Sequence, residues 1–462
     1  MSPHTLTAPK LTLEERRSAC PGLFRMAKAR DGGICRVKLS FGDLNATQAR
    51  TVAAAASELG NSVIEITNRA NLQLRGVRPD TEAALIARLL DAGLGPLTDK
   101  GDDVRNVMIS PVAGVDGRLV DIRPLARNVL TRLQTDAAYQ TLSPKFCVLV
   151  DGGEGIAMVE HPHDVWVSPI DPAVANTRFA FGIAGVPPTQ PGDRAALGSV
   201  DSEQEFALIT AILDLFIEWS RSRPLASRLR HMLAEIAPDA LLDDLERRLG
   251  FPVRSNAVAT WHRLPPQPNG HLGIVRHGHN PLCFVGAMPP LGRLDPASLT
   301  ALAELAERHG NGALRLTPWQ SILLPGVAAA EAASALADLE SLGLQAGPRQ
   351  PLAMMISCSG SAGCSSALGA TQADGLKLAA LLGVDAALPQ IHLSGCLKSC
   401  ASPSSRPITL VATEPGHYDI FLRATDGPSR FGKLLAANVT IEEAAALIGE
   451  NCYRSDSGIC MP

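Results

Sequence analysis

One stretch of this chain occurs twice. The segment from Leu44 to Val77 returns 250 positions later without a gap: Leu44 corresponds to Leu294, Gly60-Asn61 to Gly310-Asn311, Thr67 to Thr317, Leu74 to Leu324 and Gly76-Val77 to Gly326-Val327. In the first copy, the alternation from Ile34 to Leu39 reads as a strand. Asn45 is placed to cap an Ala-rich helix over 46–59, which Gly60-Asn61 closes, and Val63 to Thr67 reads as a second strand. A strand–helix–strand unit recurring at this offset implies an internal duplication, not a short-period solenoid. At 462 residues the chain also exceeds what one hydrophobic core usually serves, so two or more domains are expected.

The match continues less tightly, and there the copies differ. Met108-Ile-Ser-Pro111 corresponds to Met355-Ile-Ser-Cys358, and Pro144-Lys-Phe, leading into Asp151, sits where Pro389-Gln-Ile leads into Cys396. On this reading the second copy carries cysteines where the first carries Pro111 and Asp151. Four cysteines are involved: Cys358 and Cys364 around a loop of small residues, then Cys396 and Cys400 after a spacer of about thirty residues. Thiolates are soft ligands, and four of them suit an iron–sulfur cluster or zinc. The C-x5-C and C-x3-C spacings lack the C-x2-C pairs typical of structural zinc. Ser359, Gly360, Ser361, Ala362 and Gly363 let backbone N–H groups approach a cluster. The i, i+4 spacing of Cys396 and Cys400 puts both on one side of a helical turn. Cys452 and Cys460 receive no assignment.

Helical material separates the copies. Asp201-Ser-Glu-Gln resembles a capped start, and Phe206, Ile209, Ile212, Leu213, Phe216 and Trp219 form an apolar stripe that is core packing. A second helical stretch over 226–249 is split by Pro238, and Phe251-Pro252 through Pro268 reads as a linker. Residues 1–19 read as a mobile arm. A net charge of −4 without basic clusters gives no nucleic-acid footprint. No run approaches eighteen apolar residues and the N-terminus has no apolar leader, so a cytoplasmic protein is expected. In a reducing compartment ten cysteines point to metal or redox use. No G-x-G-x-x-G signals a nicotinamide site.

The four-cysteine spacing and the duplication together resemble the sulfite/nitrite reductase hemoprotein family. That resemblance implies an α+β chain with a duplicated architecture: two ferredoxin-like half-units forming one domain, and two larger αβ units of which the second holds a [4Fe–4S] cluster. The expected divisions are an arm over 1–19, half-units over 20–90 and 251–340, and αβ units over 91–250 and 341–462. Cys358, Cys364, Cys396 and Cys400 would be the cluster ligands, with Cys400 facing a tetrapyrrole. The family's Thr-x-Arg-x-x-x-Gln segment appears as Thr67-Asn-Arg69-Ala-Asn-Leu-Gln73, and its Arg-Asn strand as Arg105-Asn106. Its Lys-x-Lys strand appears as Lys145-Phe-Cys147, with the second lysine replaced.

Within the family, the chain looks most like the precorrin-3B synthases. Cys20-Pro-Gly-Leu, Asn68 to Val77, Asp151-Gly-Gly, Leu316-Thr-Pro-Trp319 and His392 to Ala401 carry that likeness, and Gln320 departs from it where Arg is expected. It implies a monooxygenase of aerobic cobalamin biosynthesis that hydroxylates precorrin-3A at C20 with O2 and closes a γ-lactone. The electrons would come from NADH or a reductase protein. Arg69, Arg105 and Lys145 would be the catalytic cations, and Asn68, Asn71, Gln73, Arg75 and Lys398 would bind the polycarboxylate substrate. The subfamily is also associated with a mononuclear non-haem iron. His392 and the His271, His277, His279 group are the imidazoles at issue, and no spacing declares its ligands. Two alternatives stand beside this reading: a sirohaem-dependent sulfite or nitrite reductase, and a non-catalytic iron–sulfur or zinc protein.

Overall fold

The computed structural model describes residues 20–276, 280–383, 388–402, 404–424 and 429–453. The arm over 1–19, His277, His279, Cys460 and the side chain of Cys452 lie outside the described residues. The chain gathers into two compact units. One takes in the chain up to Ala27 with Pro96–Pro265, the other Lys28–Gly95 with Pro266–Pro462. The second unit therefore holds both copies of the repeated segment and all four cysteines.

Two five-stranded sheets of the second unit express the duplication. The first runs Ala27–Ala29, Gly32–Val37, Leu72–Val77, Ile64–Ile66, Arg293–Leu294 in spatial order; the second runs Gly273–Arg276, Leu282–Ala287, Ile322–Ala328, Ala313–Leu316, Asp43–Asn45. Each copy thus lends a short strand to the other's sheet. At these junctions Arg293 lies opposite Glu65, and Asp43 lies opposite Arg315. The same cross-strand ion pair therefore appears twice with its charges exchanged, Arg293 Nη2 reaching Glu65 Oε1 at 2.7 Å and Arg315 Nε reaching Asp43 Oδ1 at 2.6 Å.

The helices Ala46–Leu59 and Pro296–His309 pack on each other. Asn45 caps the first with a reciprocal bond to Gln48, and Asp295 accepts from Ser298 N at the start of the second. The repeated Gly-Asn closure has a steric reason. A Cβ on Gly60 would stand 2.6 Å from Arg75 O, and one on Gly310 would stand 2.6 Å from Pro325 O. Even the strained backbone recurs: Ala70 and Gln320 both take left-handed φ, 54° and 65°.

The remaining two sheets repeat a second pattern. In the first unit the order is Val107–Met108, Val148–Val150, His163–Pro169, Phe179–Gly185, Gly198–Val200; in the second unit it is Met355–Ser357, Ile391–Ser394, Ile408–Glu414, His417–Leu422, Lys433–Thr440. Both begin with two parallel pairings and end with two antiparallel ones. The ladders correct one detail of the sequence alignment. Met108 pairs with Leu149, and Met355 pairs with Ile391. Aligned on those methionines, Asp151 falls on Leu393, and it is Glu154 that stands in the place of Cys396.

Two local expectations also change. The helix after Asp201 is Glu205–Ser220; its N-cap is Gln204, without a side-chain cap. The Asp201 carboxylate is taken by Arg178 instead. The stretch read as a linker is tied down over 251–265. Val253 O accepts from Ser199 N at 2.9 Å, Trp261 Nε1 donates to Ile170 O at 3.1 Å, and Arg263 is buried in an ion pair with Asp151. Pro238 does split the second helical stretch, standing at the first turn of Pro238–Leu249 after the short helix Leu229–Leu233.

Candidate functional site

Parallel pairing of Met355–Ser357 with Ile391–Ser394 brings two cysteine-bearing strand ends together. Cys358 N donates to Leu393 O at 3.2 Å, and Gly395 N donates to Cys358 Sγ at 3.2 Å. A Cβ on Gly395 would stand 2.6 Å from the Ala367 Cβ and 3.4 Å from Cys358 Sγ, so a larger residue would push the strand end off the sulfur. Gly360–Gly363 forms one helical turn, and Cys364 N closes it on Gly360 O at 2.9 Å. Burial pushes the Cys400 thiol pKa up, and the charges of Cys396, Cys358 and Cys364 add to the shift. All four sulfurs thus share one electrostatic neighbourhood. Cys400 is nonetheless an exposed residue, and the other three are partly buried.

Among the described residues no three His, Cys, Asp or Glu side chains gather as one ion would require. A cubane bonds each thiolate to a different iron, so its ligands share a neighbourhood without converging on a point. The same geometry places no mononuclear iron site among the described residues. His271 is stacked on Trp319 with ring centroids 4.7 Å apart, and burial lowers its pKa to about 3. His392 is held at about 3 by burial and by Arg406 and Arg430. Both rings are neutral packing groups at ordinary pH.

The predicted substrate residues of this unit separate into two sorts. Arg69 is half-buried, and its guanidinium has no partner among the described residues. Asn68 Nδ2 donates to Ala401 O at 3.1 Å and Cys400 O at 3.4 Å, fastening the last cysteine's turn. A small cavity behind that turn is lined by Asn68, His271, Trp319, Gln320 and Arg406. Lys398 is exposed and reaches Ser366 Oγ at 3.0 Å.

Others are consumed by the fold. Asn71 is buried and accepts from Leu39 N, and Gln73 accepts from Arg36 and donates to Glu65. Gln320, where the likeness expects Arg, donates to Ile66 O at 3.0 Å and so braces the neighbouring sheet. Arg75 is the clearest correction. It is 2% exposed, and its five N–H groups are spent on Asp31 twice, Glu65, Ser359 Oγ and Gly363 O. No donor remains for a substrate.

Arg105 and Lys145 belong to the first unit. Arg105 is buried and grips Asp102 Oδ1 through Nε and Nη2, at 3.1 and 3.0 Å. The other Asp102 oxygen accepts from Leu23 N at 2.8 Å, which anchors the Cys20-Pro-Gly-Leu motif. Lys145 is exposed. Cys147, two residues on, is buried, and its N–H is held by Asp164 Oδ2 at 3.0 Å.

Asp151 is fully buried in an ion pair of the first unit. Arg263 makes a two-pronged bond to Asp151, at 2.8 and 2.9 Å, and donates to Glu154 O. Glu154 is buried, and among the described residues neither carboxylate oxygen has a hydrogen-bond partner of normal geometry; the nearby backbone N–H groups of Gly152 and Glu154 only partly offset its burial. Burial, with the Asp151 charge adding, raises its pKa to about 7. The folded state therefore holds a proton that the unfolded chain releases near pH 4.5, and stability falls as pH climbs from there to about 7. Glu154→Gln removes this penalty. Its unfolding temperature is expected to match the parent's at pH 5 and exceed it at pH 7.5, by a stability gain of about 1–3 kcal/mol. Unfolding scans at the two pH values check this.

Comparison with known proteins agrees with this architecture. The nitrite/sulfite reductase ferredoxin-like half domain matches residues 27–92 and again 277–342. The nitrite and sulphite reductase 4Fe-4S domain matches residues 100–253, which is the copy without the four cysteines. Together the matches take in more than half of the chain. The chain belongs to the nitrite/sulfite reductase family.

A chloroplastic ferredoxin–nitrite reductase of Zea mays is 29% identical over 86% of this chain and 72% of its own. A precorrin-3B synthase of Sinorhizobium is 28% identical over 90% of this chain and 85% of its own. The solved structure of the Mycobacterium tuberculosis NirA protein superposes with a TM-score of 0.71 at 22% identity, over 91% of this chain and 79% of its own, and so shares the fold. The chain is an oxidoreductase of this family with an iron–sulfur cluster. Among the described residues no helix is long and apolar enough to cross a membrane.

Proposed function

We propose that the protein is a precorrin-3B synthase-like monooxygenase, and that Cys358, Cys364, Cys396 and Cys400 ligate its [4Fe–4S] cluster. The observation that carries this reading is Cys147. Reducing a small oxyanion calls for several cations around it, and the position of the family's second lysine is a buried thiol that supplies none. A tetrapyrrole with many carboxylates makes a different demand: cations spread over a wide surface. Arg69 is the cation best placed for those carboxylates, because no acidic partner occupies it among the described residues, and the exposed Lys145 of the first unit is the other. Arg105, assigned the same role by motif, is buried against Asp102. Asn68 acts indirectly, by holding the Cys400–Ala401 turn.

The cluster, when bound, relays electrons one at a time. The overall balance is that two electrons and two protons reduce O2, one oxygen entering the substrate at C20 and the other leaving as water. The electron donor is external, a ferredoxin-type protein or reduced nicotinamide, and the setting is cytoplasmic.

A second reading, a sirohaem-dependent nitrite reductase, is favoured by Arg69, whose guanidinium has no partner among the described residues, and by relatives named ferredoxin–nitrite reductases. The spectrum of the purified protein discriminates. The proposed function predicts only the broad absorbance of an iron–sulfur cluster. Sharp Soret and visible bands of a stoichiometric sirohaem would favour the reductase.

A further inference from the structure

The buried charges around Arg75 do more than hold a sheet together. Three arginines of the second unit grip alternate carbonyls of the loop between Cys358 and Cys364. Arg293 Nη2 donates to Ser359 O at 3.5 Å, Arg30 Nη1 to Ser361 O at 2.8 Å, and Arg75 Nη2 to Gly363 O at 2.7 Å. Arg75 Nη1 also donates to Ser359 Oγ at 3.0 Å, and that hydroxyl in turn donates to Glu65 at 2.9 Å. Glu65 further accepts from Arg293, Arg75 and Gln73. Burial works against the Arg75 charge, but Asp31 and Glu65 outweigh it and raise its pKa above the ordinary value.

The duplication shows that the fold itself does not need this network. At the corresponding positions of the second copy, Pro325 stands for Arg75, Pro281 for Asp31 and Leu323 for Gln73. Only the cross-strand ion pair is kept, as Asp43 with Arg315. The extra charges occur in the copy that touches a cysteine loop. Gly363 is small for the same reason: a Cβ there would stand 2.4 Å from Arg75 Nη2. A trans peptide directs each C=O opposite to the next N–H. Anchoring Ser359 O and Ser361 O on arginines therefore turns the N–H groups of Gly360 and Ala362 away from them.

We propose that Arg75, with Arg30 and Arg293, is a positioning residue for the cluster: it presets the Cys358–Cys364 loop and holds a fixed positive charge beside it. The inference rests on the assignment of those cysteines as ligands. A nearby cation favours the more negative, reduced cluster, so removing it lowers the midpoint potential.

The test compares four variants for iron and acid-labile sulfide per chain and for midpoint potential by electron-paramagnetic-resonance titration. Arg75→Met is expected to lose iron several-fold, or to keep it at a lower potential, with Arg75→Lys recovering part of the potential. Arg30→Gln, at an exposed position where folding is not at issue, should shift the potential in the same direction by less. Arg315→Met breaks the counterpart ion pair and should change neither quantity. Equal losses in Arg75→Met and Arg315→Met, or wild-type iron and potential in both Arg75→Met and Arg30→Gln, would overturn the proposal. Cys400→Ser, measured alongside, separates the two levels. A retained cluster there defeats the ligand assignment, whereas its loss with no effect at Arg75 and Arg30 defeats only the arginine role.

Discussion

Cys400→Ser is expected to yield a folded protein that has lost its cluster and with it all turnover. Serine keeps the size of the side chain but replaces a soft thiolate by a hydroxyl that stays protonated at neutral pH, so the affinity for iron collapses. The fold should survive. Cys400 is exposed and lies in a turn fastened through its own carbonyl by Asn68, not through its sulfur. Iron and sulfide analysis beside a circular-dichroism spectrum checks both halves of this expectation. An unchanged brown protein with full iron content would show that Cys400 is not a ligand.

The second large effect is expected at Arg69. Its guanidinium has no partner among the described residues, whereas Arg75, six residues on, has spent every donor. A charge-assisted bond to a substrate carboxylate contributes about 1.5–3 kcal/mol, so Arg69→Met should lower kcat/KM about 10- to 100-fold. Iron content and unfolding temperature should stay at their parent values, because no buried acid is left unpaired. Arg69→Lys should recover only part of the loss, since an ammonium cannot reproduce the planar two-pronged bond. Steady-state kinetics with the tetrapyrrole, paired with iron analysis, measures this. A variant with unchanged kcat/KM would remove Arg69 from the site.

The contrast between those two arginines marks how far the sequence was legible. The helix over 46–59 was readable to the residue because its signals are local: Asn45 caps it and Gly60 must stay small beneath the Arg75 carbonyl. The duplication was readable because the same steric demands recur at Gly310 and Gly326. The exchanged strands Asp43–Asn45 and Arg293–Leu294 were not, since segments so short carry no periodicity and pair only across copies. One signal was available and missed: Glu65 with Arg293 and Arg315 with Asp43 reverse their charges across the repeat, as two residues in contact would. Asp151 stands in a motif that carries the family likeness, and Arg75 reads as substrate-binding from motif position. Their partners, Arg263 at one and Asp31 with Glu65 at the other, become visible only when the chain is folded. The difference between Asp151 and Glu154 as the counterpart of Cys396 has the same origin, because ladder register is set by hydrogen bonding rather than by spacing along the chain.

The central claim is that a reductase fold here serves oxygenation of a tetrapyrrole. Its most direct test is a single-turnover reaction of the cluster-loaded enzyme with precorrin-3A, an electron donor and isotopically labelled O2, followed by mass spectrometry. The account predicts a hydroxylactone product carrying one labelled oxygen atom, with no ammonia formed from added nitrite in a parallel reaction. Unlabelled, unchanged precorrin-3A together with rapid reduction of nitrite would contradict it.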